Sequence, residues 1–246
     1  MDRLIYTAMT GAKHLLEQQT TTSHNLANAT TNGFKAQLDS FRAVPVISEG
    51  LPTRAFVVDA TVGTDFSAGG IQQTGRDLDL AIQGKGWLVV QGEDGVEKMT
   101  RHGSMKINEN GVLQTQNGLQ VVGEGGPITI PPEMTIAIAK DGTVSAIPMG
   151  SRPNAVQVIG RLKLVNPPEN NIVRGDDGLF KTKDGVIPDA DPAVNVINGA
   201  LELSNVNVAE AMVNMINLAR QFEMQMKLLT NAENNETKAS QILTLS

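Results

Sequence analysis

The stretch SHNLANATTNGFKAQ, residues 23–37, decides how this chain is read. About twenty residues of helical pattern precede it, and strand-rich sequence follows. Short polar side chains bond to nearby backbone and so compete with a helix. Asn25, Asn28 and the run Thr30 to Asn32 are therefore expected to stop a helix and satisfy its end. Gly33 permits the positive φ that a sharp turn needs. A surface loop has use for the Asn and Gly residues but none for an aromatic ring, so Phe34 is expected to anchor the turn in apolar surface.

Upstream, spacings of four and three pick out Ile5, Met9, Ala12, Leu16, Gln19, Ser23, Leu26 and Thr30. The first half is an apolar seam widened by Leu4, Ala8 and Leu15, and the second half turns polar. This predicts an amphipathic helix of coiled-coil type. The same spacing near the other end gives Val208, Met212, Met215, Ala219, Phe222, Met226 and Leu229 without a miss. Asn207 followed by Glu210 has capping-box spacing and predicts the helix start. Beyond Leu229 the seam meets Glu233, Glu236 and Ser240, and it recovers only by a phase shift to Ala232, Ala239 and Ile242. A stutter is expected there.

The middle is built differently. From Phe56 to Asp184, short β-type runs are broken by Asp94-Gly95, Asn110-Gly111, Asn117-Gly118, Asp141-Gly142, Asp177-Gly178 and Asp184-Gly185. Such dipeptides make hairpin turns. The pattern predicts an antiparallel β domain of sandwich or barrel-like form. Residues 43–76, with Pro45, Pro52, Gly63, Gly69 and Gly70, read as an extended connector, as do residues 189–196.

Composition narrows the function classes. The 246 residues are 40% hydrophobic but only 3% aromatic, so the core must be aliphatic and Met-based. Few aromatics and a net charge of −6 argue against a nucleic-acid partner. Without cysteine there are no disulfides and no thiolate chemistry. The first residues carry charge at Asp2, Arg3, Lys13 and Glu17 and lack the apolar core of a cleaved signal. No window suits a membrane span, so no stable membrane insertion is expected. The chain is expected either to stay in the cytoplasm or to leave by a route without a cleaved signal.

Catalytic signatures are weak. Gly84-Lys85-Gly86-Trp87 opens like a dinucleotide loop, but Val89 replaces the third Gly and a strand follows, so a tight turn is expected. His14, His24 and His102 share no ligand spacing. The pairs Asp77/Asp79 and Asp189/Asp191 are too few oxygens for calcium. Arg174-Gly175-Asp176 sits in a turn-type run and reads as turn chemistry. No catalytic residue, cofactor or metal is assigned, and an enzyme is disfavoured. A carbohydrate-cleaving enzyme would need two acids facing across a cleft.

The two terminal helices need each other and more. Their apolar seams repay only part of the entropy of ordering them as a lone pair, and Ile216, Leu218 and Leu228 would stay exposed. Polymerisation through the chain ends is expected, with the β domain hung outside.

These residues resemble the bacterial flagellar rod and hook proteins. NLANATTNGFK (25–35) is similar to their signature, RDLDLAIQGKGWLVVQ (76–91) and TRHGSMKINENGVLQTQNGLQVVG (100–123) to their β domain, and LELSNVNVAEAMVNMINLARQFEMQMK (201–227) to their C-terminal helix. RAVPV (42–46), Trp87 in place of the Phe usual in hook and distal-rod members, and the length resemble a proximal-rod member.

The resemblance implies an α+β fold. A discontinuous α-helical coiled-coil domain from both termini is joined by extended connectors to a central antiparallel β domain. The implied segments are an N-terminal helix (1–32), a joint and connector (33–76), the β domain (77–188), a return connector (189–206) and a C-terminal helix (207–246). The assembly helices would act through Ile5, Met9, Ala12, Leu16, Leu26, Val208, Met212, Met215, Ala219, Phe222, Met226 and Leu229. The signature joint would be Asn25, Leu26, Ala27, Asn28, Thr31, Gly33 and Phe34. The implied function is a structural subunit of the basal-body rod, a drive shaft for cell motility. It would be exported by the flagellar type III apparatus into the periplasmic rod, with other copies and other rod proteins as partners. The alternatives are a distal-rod or hook protein, or a non-flagellar surface protein with a coiled-coil stalk and β head.

Overall fold

The computed structural model describes residues 2–45, 55–132, 134–148 and 156–244. Val46 and Pro52 lie outside them, as do the side chains of Leu4, Phe56, Glu236, Ala239, Ser240 and Ile242. The chain forms two units, each assembled from separated segments.

The first unit comprises 1–29, 36–65 and 206–246. It contains α1 (Asp2–Ala27), the strands β1 (Gln37–Pro45) and β2 (Ala55–Thr64), and α2 (Val208–Thr244). At 1.5 Å per residue the 37-residue α2 is about 55 Å long. Its start is capped as the sequence requires, with Asn207 Oδ1 accepting from the backbone N–H groups of Ala209 (3.1 Å) and Glu210 (3.3 Å). Helix assignment runs unbroken through the expected stutter.

The two helices pack together through small residues. Ala8 and Ala12 are buried on α1, Ala211 and Ala232 on α2, and a side chain added at Gly11 would meet Gln225 at 3.6 Å. The packed face of α2 is Ala211, Met215, Leu218, Phe222, Gln225, Leu229 and Ala232, again at alternating fours and threes. No helix among the described residues is long and apolar enough to cross a membrane.

β1 and β2 pair antiparallel from Gln37↔Thr64 to Pro45↔Ala55, with a bulge between Ser40 and Phe41. An extended connector was expected over much of this region, and the structure corrects that to a paired hairpin. Thr21 Oγ1 donates to Asp39 Oδ1 (2.8 Å), and the His14 ring meets Phe41 edge-on at 5.4 Å.

The second unit, Thr30–Lys35 with Phe66–Asn205, is the antiparallel β body. Nine of its strands form one sheet and three another. The strand Trp87–Gln91 shows how the pattern builds it, because successive side chains point to opposite faces. Leu88 and Val90 enter the main aliphatic core with Met105, Leu113, Val121 and Val144. Trp87 and Val89 enter a second core with Met99, Val165 and Phe180. All six Asn/Asp-Gly turns expected from sequence place their glycine at positive φ.

The return segment also departs from the extended connector expected over 189–206. Asn195–Asn198 pairs with Leu80–Gln83, and Ala200–Glu202 pairs with Ile71–Gln73. Partners so far apart in sequence leave no local signal, whereas the prolines and glycines around them do.

Candidate assembly joint and helix faces

The signature is split between the units. Asn25 and Asn28, near the end of α1, do different jobs. Asn28 Nδ2 donates to the His24 carbonyl (2.9 Å), adding to the bond that the Asn28 backbone N–H makes to the same acceptor (3.2 Å). Asn25 does not cap its own helix, as sequence suggested. Its Nδ2 donates to the Gln37 carbonyl and its Oδ1 accepts from the Gln37 N–H, both at 2.9 Å. The amide thus imitates a paired peptide group and fastens the start of β1. Leu26 is half-buried, while Ala27 and Thr31 are exposed.

Residues 30–35 form part of the β body. The Gly33 N–H donates to the Glu202 carbonyl (2.7 Å), and the Asn205 N–H donates to the Phe34 carbonyl (3.4 Å). Gly33 has φ +69°, and a Cβ there would sit 2.3 Å from the carbonyl carbon of Arg101 and 2.5 Å from the His102 nitrogen. Both the dihedral and the backbone approach demand glycine.

Phe34 is 6% exposed. The Arg174 guanidinium lies 4.6 Å from its ring centroid, and Arg174 Nη1 donates to the Lys35 carbonyl (3.1 Å). Arg174 also stands 5.9 Å from Phe180, which packs on Trp87 at 4.5 Å. A cation over an aromatic face contributes about 0.5–2 kcal/mol. Arg174 ends a strand (Ile172–Arg174), so the tripeptide read as turn chemistry also supplies the clamp over Phe34.

On the other side of the segment lies a buried ionic cluster. Lys35 Nζ donates to Glu202 Oε1 (2.7 Å) and to the Ser67 carbonyl (2.7 Å). Arg101 Nη1 donates to Glu202 Oε2 (2.9 Å), and its Nη2 to the Gly84 carbonyl (2.6 Å). Burial lowers the Arg101 pKa, and the neighbouring Glu202 carboxylate acts against that shift. Burial likewise lowers the pKa of Arg174 and of His102.

Arg101 and Glu202 were not singled out from sequence, and Arg174 only as part of a turn-type tripeptide. One signal was available: Glu202 stands between Leu201 and Leu203 in an otherwise apolar short strand.

The seam residues fall into two sets. On α1, Ala12 is buried and Ile5 half-buried, whereas Met9 and Leu16 are exposed. On α2, Met215, Phe222 and Leu229 are half-buried, whereas Val208, Met212, Ala219 and Met226 are exposed. The exposed α2 set is joined by Val213, Ile216, Met224 and Leu228, each more than 40% accessible. The arrangement is a scaffold with a rigidly bonded loop and an uncovered apolar surface.

The sequence matches known protein families. Residues 5–35 match the family described as "Flagella basal body rod protein", 81–146 the "Flagellar hook protein FlgE/F/G D1 domain", and 197–242 the "Flagellar basal body rod FlgEFG protein C-terminal". The chain belongs to the flagellar basal-body rod protein family. Over the full length of both chains it is 48% identical to the flagellar basal-body rod protein FlgF of Salmonella typhimurium and 47% to that of Escherichia coli. It is 31% identical to the rod protein FlgG of Buchnera aphidicola, covering 89% of this chain and 92% of the relative. It is a structural subunit of the flagellar rod and not an enzyme.

Proposed function

We propose that this chain polymerises within the proximal rod through α1 and α2, which pair as a coiled coil in the inner wall, and that the 25–35 joint passes torque between that wall and the β body. The observation that carries this is the uncovered apolar surface of the helices. Val208, Met212, Val213, Ile216 and Met226 on α2, with Tyr6, Met9 and Leu16 on α1, are all at least 40% exposed. So many large apolar side chains left in solvent on two packed helices point to an interaction site. Methionines suit it further, since flexible thioethers can pack against non-identical neighbours.

The partners are other copies of the chain and other rod proteins. The chain leaves the cytoplasm through the flagellar type III export apparatus and resides in the periplasmic rod. Deletion of the coding sequence in its own bacterium, with complementation by a tagged copy, tests this. The deletion should abolish swimming and leave rods incomplete, and the tagged chain should purify with basal bodies. Complete rods in the deletion strain would contradict it.

A further inference from the structure

Lys35 and Glu202 come from opposite ends of the sequence, yet they meet almost out of water, at 1% and 3% exposure. Two cations, Lys35 and Arg101, share the one carboxylate, which also accepts from the Gly69 N–H at 3.1 Å. A buried ion pair is a poor source of net stability, because desolvation offsets the attraction. Its best-attested use is to fix register.

The segment 33–35 has a register to fix. Phe34 carries the aromatic–guanidinium contact on one side, and Lys35 carries the ionic contact on the other. Phe34 and Lys35 are adjacent and meet different partners, so a slip of one residue would set a cation against Arg174 and take the cation away from Glu202. Backbone hydrogen bonds such as Gly33 N–H to Glu202 C=O do not discriminate among registers, since every residue but proline offers the same groups. The charges do.

We infer that Glu202 is the register pin of the signature segment. It takes Lys35 as its specific counter-ion, delivers Phe34 beneath Arg174, and can do so only once the C-terminal limb that carries it is in place. The pin is read in the free chain, and its consequence for the rod rests on the joint proposed above.

Glu202→Gln would strand two buried cations, so the decisive variant is Lys35→Met in the full chain. It leaves Arg101 and Glu202 as a balanced pair. Amide exchange and ring resonances are followed by NMR. The Gly33 and Asn205 amides should exchange about tenfold faster or more, as expected for loss of a charged hydrogen bond. Amides of 88–90 should be unchanged, and Phe34 should show more than one set of ring signals. Unchanged Gly33 exchange with a single Phe34 environment would overturn the inference, as would equal acceleration throughout the body. If the segment loosens while rods complete normally, the pin stands and the torque-bearing role of the joint fails.

Discussion

The backbone of Gly33 lies so close to that of Arg101 that a single added carbon would stand 2.3 Å from the Arg101 carbonyl carbon. Neither partner can retreat, since Arg101 is held by Glu202 and Gly84. Gly33→Val therefore meets a backbone clash as well as the roughly 1–3 kcal/mol of strain at positive φ. It should lower the denaturation midpoint of the β body clearly more than Phe34→Leu does. The latter keeps an apolar anchor and loses about 1–2 kcal/mol of packing and cation–π contact. Urea denaturation of the two variants, followed by the Trp87 fluorescence, decides the order.

Asn25 fastens Gln37 with one donor and one acceptor. Asn25→Asp keeps the acceptor but turns a carboxylate oxygen toward the Gln37 carbonyl. The expected cost is about 1–3 kcal/mol locally, seen as faster amide exchange at Gln37 with the β body unaffected. Unchanged protection at Gln37 would show that the clamp is dispensable.

Burial lowers the pKa of His102, and a backbone hydrogen bond and the nearby Asp79 charge only partly oppose it. The folded chain thus favours the neutral imidazole more than the unfolded chain does. The resulting stability is complete above the unfolded value of about 6.5 and is lost as pH falls below it toward the lowered folded value. The urea midpoint should be lower at about pH 5.5 than at about pH 7.5, and His102→Gln should shrink the difference. An identical pH dependence in the variant would remove His102 as its source.

The helices and turns were legible because their signals are local. Periodicity, the Asn207 cap and the Asn/Asp-Gly dipeptides each act within a few residues. The strands at 71–73 and 195–202 were not, since each is defined by a partner far away in the sequence. Periodicity could also not choose between two stripes flanking Met215, Phe222 and Leu229. Ala211, Leu218, Gln225 and Ala232 lie toward α1, and small Ala211 and Ala232 allow close approach. Met212, Ala219 and Met226, one position over, stay in solvent. Within the signature, Gly33 lies at positive φ and Phe34 is buried. The placement of this segment inside the β body was not visible, because Arg101, Glu202 and Arg174 look like ordinary surface charges until the fold gathers them.

That exposed stripe gives a test that separates folding from assembly. Met212 is 50% and Met226 45% accessible, so Met212→Asp with Met226→Asp should leave the helicity and melting of the free chain within about 1 kcal/mol of the parent. Incorporation into rods should be lost. A double variant that still supports swimming would mean that this face meets no neighbour.

Electron cryomicroscopy of isolated basal bodies addresses the subunit role most directly. The chain should be found in the proximal rod with α1 and α2 in the inner wall, Met212, Ile216 and Met226 covered by neighbouring helices, and the β body outside. A rod that lacks the chain, or holds it with those residues facing solvent, would contradict the assignment of the terminal helices to assembly.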